Sequence, residues 1–112
     1  MDDFKEVELQ KTDYIFTGNE YLIPNNCLLK LEKLVMVNDY PEYQGQRAIV
    51  MAHTTSKGRG KEFKVSVAIA SFIIGKDYEQ NINILLNPSD QCFLELTGPN
   101  IVIQLQYSTI EQ

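Results

Sequence analysis

The run Leu28-Leu29-Lys30-Leu31-Glu32-Lys33-Leu34-Val35-Met36-Val37 decides the fold class of this 112-residue chain, because it satisfies two periods at once. Leu28, Leu31, Leu34 and Val35 lie at helical spacing, and Leu, Lys and Glu are good helix formers. With the period of a strand, Leu29, Leu31, Val35 and Val37 fall on one face and Lys30 and Glu32 on the other, with Lys33 the exception. Taken alone the run leaves both readings open. Its neighbours favour the strand, and agreement among segments is what a foldable sequence displays.

Those neighbours are short β-favouring runs bounded by turn residues. They are Phe4–Leu9; Thr12–Thr17, closed by Gly18-Asn19; Arg47–His53, after Gly45; and Phe63–Ile74, after the loop Ser56-Lys57-Gly58-Arg59-Gly60-Lys61. Asn81–Leu86 follows, ended by Asn87-Pro88-Ser89-Asp90, and then Gln91–Leu96 and Ile101–Tyr107 around the turn Thr97-Gly98-Pro99-Asn100. With 28–37 these make eight strands, a number and spacing that predict an all-β sandwich or barrel in one domain. Residues 1–107 are expected to form the core, and 108–112 the start of a C-terminal tail.

In the run from Phe63, Val65, Val67 and Ile69 alternate with Ser66, Ala68 and Ala70, so one face is bulky and the other small but uncharged. Ala48-Ile49-Val50-Met51-Ala52 repeats the pattern. Solvent faces of strands usually carry Lys, Glu or Thr, so a small uncharged face suits close cover by another layer: self-association is expected, the alternative being a central strand of the monomer buried on both sides.

The chain carries a net charge of −5, unevenly placed: Lys57, Arg59, Lys61 and Lys64 against Glu62 make residues 57–64 net +3, leaving −8 for the rest. An acidic body disfavours nucleic acid as a direct partner and suits basic proteins, whose encounter it steers, although negative charge that serves only solubility explains it as well. Two cysteines, Cys27 and Cys92, with no leader-like apolar segment after Met1-Asp2-Asp3-Phe4-Lys5, predict a reduced intracellular compartment. The longest nearly apolar run, Val65–Ile74, is too short to span a bilayer, and no membrane partner is expected.

Catalytic chemistry is not announced. His53 is the only histidine and no Cys-x-x-Cys or His-x-x-x-His spacing exists, so neither metal nor cofactor is expected. A thiol nucleophile using Cys27 or Cys92 with His53 is arithmetically available, but both cysteines sit in apolar contexts that favour an inert buried thiol. Gly58-Arg59-Gly60-Lys61 lacks the rest of a phosphate-loop pattern and reads as a hairpin loop. The chain is expected to bind rather than to catalyse. Asp39-Tyr40-Pro41-Glu42-Tyr43 is the best local candidate, since acids interleaved with tyrosines offer charge and rigid contact area for a basic ligand; an ordinary Pro-containing loop explains it equally well.

The order of runs resembles the core domain of the nucleoplasmin/nucleophosmin family of histone chaperones over nearly the whole chain. The matching parts are Phe4-Lys5-Glu6-Val7-Glu8-Leu9; Cys27 followed by Leu28–Val37; Ala48-Ile49-Val50-Met51 before a charged loop; Phe63-Lys64-Val65-Ser66-Val67-Ala68-Ile69-Ala70; and Cys92-Phe93-Leu94-Glu95-Leu96-Thr97-Gly98-Pro99. The resemblance implies an eight-stranded jelly roll, a homopentamer that in some members stacks into a decamer, and a nuclear, non-enzymatic protein that binds core histones through acidic surfaces, meeting nucleic acid only indirectly. The expected histone contacts are Asp39, Tyr40, Glu42, Tyr43, Asp77 and Glu79, loop acids and the tyrosines beside them. Three departures stand out: the shortened turn at Thr97–Asn100, the stretch Asp39–Gly45 where relatives carry a short stacking loop, and a basic 54–62 segment with no polyacidic tract anywhere. The competing reading is a β-sandwich module for peptide or carbohydrate with Tyr40 and Tyr43 as its platform.

Overall fold

The computed structural model describes residues 8–23, 28–58, 60–86 and 92–110. They form β1 (Glu8–Phe16), β2 (Glu20–Leu22), β3 (Leu28–Met36), β4 (Arg47–Gly58), β5 (Lys61–Ile73), β6 (Glu79–Leu86), β7 (Phe93–Thr97) and β8 (Val102–Ile110). The strands make two four-stranded sheets, β1-β8-β3-β6 and β2-β7-β4-β5, with every ladder antiparallel. The architecture is an all-β sandwich. Pairing follows one rule from outside inward: β1 with β8, β2 with β7, β3 with β6 and β4 with β5. The contacts β3·β8 and β4·β7 then stitch those four pairs into two sheets.

The opening run is β3, and its two periods have a physical reason. The register shifts between Leu31 and Lys33, so Glu32 is an extra residue against β8. Leu29 and Leu31 before the bulge and Leu34 and Met36 after it all point into the core. The one-residue jump makes a strand imitate a helical stripe. Val35 and Val37, expected on the core face, turn to the outer face instead: Val35 is partly buried and Val37 exposed. Glu32 accepts a hydrogen bond from the Ser108 hydroxyl across the bulge.

A second bulge acts on β5. Val50 pairs with Ala70 but Met51 with Ala68, so Ile69 is the extra residue. The expected split into a bulky and a small face is therefore broken, because Val65 and Val67 share the inward side with Ala70 and Phe72. Phe72, Val50, Leu94 and Leu96 from this sheet meet Ile15, Leu31, Leu34 and Leu105 from the other, all almost fully buried. Each such side chain contributes about 1.5–3 kcal/mol on leaving water.

The two expected N-terminal strands are one. β1 runs without a break through Gln10 and Lys11, and the part of the first expected strand before Glu8 lies outside the described residues. The eighth strand is the three-residue β2, too short to announce itself by alternation. The expected loop from Ser56 to Lys61 is mostly ladder, with Gly58 opposite Lys61, so β4 and β5 form one long two-stranded arm. β8 continues past Tyr107, through Ser108 and Thr109, both buried, to Ile110.

Candidate functional site

The β3–β4 and β5–β6 connections close one end of the sandwich together. Tyr40 adopts a left-handed backbone (φ 47°) before a 3₁₀ turn, Pro41–Tyr43, with proline at a position where its missing N–H costs nothing. The Gly45 N–H donates to the Ile74 carbonyl at 2.8 Å and the Ile74 N–H to the Gln46 carbonyl at 2.9 Å, binding this loop to the end of β5. The Met36 N–H donates to the Tyr78 carbonyl at 2.8 Å, which fixes the turn that follows β5.

All six expected contact residues lie in or beside these two joined connections, but they divide by role. Asp39, Glu42 and Glu79 are exposed. Glu79 faces Lys33 at 3.7 Å on the outer surface, a screened pair of small energetic weight. Tyr40 and Tyr43 pack against the core with ring centroids 6.4 Å apart, and the Tyr40 hydroxyl oxygen accepts the Val102 N–H at 2.9 Å. Asp77 accepts the Ile73 N–H at 2.9 Å and so closes its own turn. The tyrosines and Asp77 hold the end together, and Asp39, Glu42 and Glu79 present charge from it.

Two apolar surfaces flank this end. On the outer face of β1-β8-β3-β6, Phe16 on β1, Val102 on β8 and Val37 just after β3 lie side by side, with Tyr14 next to them; Tyr14, Phe16 and Val37 are 45–49% exposed. On the outer face of β2-β7-β4-β5, Ile49, Met51, Ile73 and Phe93 are half-buried among Ser66, Ala68 and Ser71. That second face carries the small uncharged side chains read from the sequence.

One cluster escaped sequence reasoning. His53 on β4 reaches Ser66 on β5 through Nδ1 at 2.7 Å and Glu95 on β7 through Nε2 at 2.9 Å, with the Phe93 ring stacked at 4.8 Å. A carboxylate only accepts, so the Nε2–H donates to Glu95, and Nδ1 is the nitrogen that meets the Ser66 hydroxyl. The order nucleophile, base, carboxylate is that of acyl-transfer enzymes. Here the row stands on the outer face of a sheet and ties three strands, β5, β4 and β7, together. A polar residue directly after Ala48–Ala52 and another within Phe93–Leu96 were the only sequence signals, and nothing local pairs positions 42 residues apart.

Cys92 is buried in the core while His53 lies on the outer face, so these two do not form a nucleophile pair; Cys27 lies outside the described residues. Among the described residues no cluster of three or more His, Cys, Asp or Glu is arranged for a metal, and no helix is long and apolar enough to cross a membrane. Comparison of the chain with models of protein families and with curated proteins finds no match.

Proposed function

We propose that the chain is the jelly-roll core of a nuclear histone chaperone that works as a homopentamer. The observation that carries this reading is the strand order. Outside-in pairing of eight strands, rolled into β1-β8-β3-β6 and β2-β7-β4-β5, is what two interlocked Greek keys generate, and it agrees with the family resemblance of the sequence. Self-association is supported by two dissimilar apolar surfaces. A ring closes through head-to-tail contacts, which need two different patches on each copy, here the Tyr14/Phe16/Val37 face and the Ile49/Met51/Ile73 face.

Histone binding then rests on charge. Asp39, Glu42 and Glu79 at the closed end belong to a body carrying −8 outside the basic 57–64 segment. Repetition around a ring raises effective concentration, so individually weak acidic contacts sum to useful avidity, on the order of 10²-fold above one site. The acidic end shields basic histones from wrong contacts and releases them when DNA competes. The platform reading for peptide or carbohydrate has less support, because Tyr40 and Tyr43 face the core and the Tyr40 hydroxyl is engaged.

The test is native mass together with a salt-dependent pull-down of core histones. Five copies, or ten if rings stack, that retain histones at low salt and release them at high salt support the proposal. A monomer at micromolar concentration refutes the ring, and a ring indifferent to histones refutes the function. Phe16→Glu is expected to reduce the assembly to monomers.

A further inference from the structure

The β4–β5 arm projects from the end of the sandwich opposite the acidic loops, and histone binding leaves it unexplained because its charge has the sign of a histone. Every residue from Lys61 to Ala68 is exposed. Phe63, Val65 and Val67 continue the inward face of β5, yet each remains 45–53% exposed.

β5 is also an edge, the last strand in β2-β7-β4-β5. Open edges invite another strand, and proteins usually blunt them. The other three differ: β2 has three residues, β6 is broken at Asn83 with φ 54°, and β1 has its edge interrupted at Tyr14, whose N–H is taken by the Asp13 carboxylate. The body half of β5 is covered as well, where the Ile73 N–H goes to Asp77 and the Ser71 carbonyl accepts the Gln80 side-chain amide. From Lys61 to Ala68 no side chain caps the edge among the described residues. Following the register through the bulge at Ile69, the outward backbone groups there belong to Glu62, Lys64, Ser66 and Ala68, as those of Ser71 and Ile73 do beyond it.

We propose that this edge, Lys61 to Ala68, is a strand-addition site for an extended peptide that alternates acidic and apolar residues. Backbone hydrogen bonds supply affinity and the two faces supply selectivity. Apolar side chains of the added strand lie beside Phe63, Val65 and Val67. Its acidic side chains lie on the other face, where Lys64 is flanked by Ser66 on one side and Glu62 on the other, and a cleft of about 210 Å³ opens among His53, Thr55, Lys64 and Phe93; the acid opposite Lys64 is the one the site selects. The arm's cations oppose pairing with a second copy of itself and favour a strand of opposite sign. A nucleic acid is disfavoured because phosphate binding draws on many cations at once, whereas Glu62 interrupts Lys61 and Lys64 and the regular ladder beside them matches a polypeptide.

The experiment is fluorescence anisotropy on the full chain with a labelled peptide alternating Glu and Val over eight residues, the length of the uncovered edge. Saturable binding is expected, lost when the peptide is N-methylated on its pairing edge and absent when Lys replaces Glu. Lys64→Glu is expected to weaken binding about tenfold. Ser66→Pro, which places the ring where the N–H points away from β4, is expected to abolish it with the fold retained. Because the N-methylated peptide leaves the protein unaltered, a folding defect in either variant does not obscure the result. No binding, equal binding of the N-methylated peptide, or tighter binding of a labelled single-stranded oligonucleotide overturns the proposal. Histone retention by the same variants is expected to be unchanged, so the two readings fail independently.

Discussion

The Tyr40 hydroxyl oxygen accepts the backbone N–H of Val102 at 2.9 Å, anchoring the β3–β4 connection to the first residue of β8. Tyr40→Phe keeps the ring in place and leaves that N–H without its partner. The expected cost is about 1–2 kcal/mol, read as a lower denaturation midpoint with unchanged slope. Histone retention by the folded variant is expected to equal that of the parent, since the hydroxyl faces the core.

Gly98 and Gly75 make a controlled comparison. Both have positive φ, +128° and +90°, but a Cβ at Gly98 meets the Arg47 carbonyl oxygen at 2.8 Å and Ala48 Cα at 3.1 Å, whereas at Gly75 it meets only the Gln44 side chain. Backbone cannot yield and a glutamine can. Gly98→Ala is expected to cost about 2–3 kcal/mol and Gly75→Ala about 1 kcal/mol, in the order a thermal melt will rank them.

The Tyr21 phenol is held well above the ordinary tyrosine range, first by burial and then by hydrogen bonds with Tyr107 and Asp13. Its hydroxyl donates to Asp13 at 2.9 Å, and a phenolate there would face the carboxylate. A folded value above the unfolded one means that the contribution is fully present below about pH 10 and is lost as pH rises beyond it, because only the unfolded chain releases the proton. Alkaline unfolding is therefore expected to begin near pH 10 and to be delayed in Tyr21→Phe. Absorbance titration of the native protein is expected to show Tyr21 still neutral after the exposed tyrosines have ionised.

The acids of the closed end are expected to separate by phenotype. Asp39→Asn with Glu42→Gln removes two exposed charges and is expected to weaken histone retention at low salt while moving the melting temperature little. Asp77→Ala removes the acceptor of the Ile73 N–H and is expected to cost about 1–2 kcal/mol, with retention changing less. Loss of retention through Asp77 alone would reverse the assignment of roles.

Strand identity was legible wherever alternation is regular, as in Arg47–His53 and Ile101–Tyr107. It was obscured where a single residue is inserted: Glu32 made β3 look half helical, and Ile69 reversed which half of β5 faces inward. Both bulges are visible only against their partner strands, because nothing in the local sequence marks the residue that is skipped. The same limit applied to the site. Asp39, Glu42, Asp77 and Glu79 were legible as loop acids, but their meeting at one end depends on bonds from Gly45 and Gln46 to Ile74. The inward role of Tyr40 depends on Val102, sixty-two residues away.

Outside-in pairing also sets a timetable for folding. Glu8 lies opposite Ile110 and Phe16 opposite Val102, so β1 has no ladder partner until the far end of the chain has been made. β4 and β5, adjacent in sequence and paired from Gly58 opposite Lys61, can pair as soon as they exist, which makes this hairpin the natural nucleus. Loop closure over such distances is slow, and unpaired strands stay open to the wrong neighbour meanwhile. The most hazardous interval for this protein is thus the one between emergence of β1 and arrival of β8, when a nascent chain on one ribosome can find its missing strand on another.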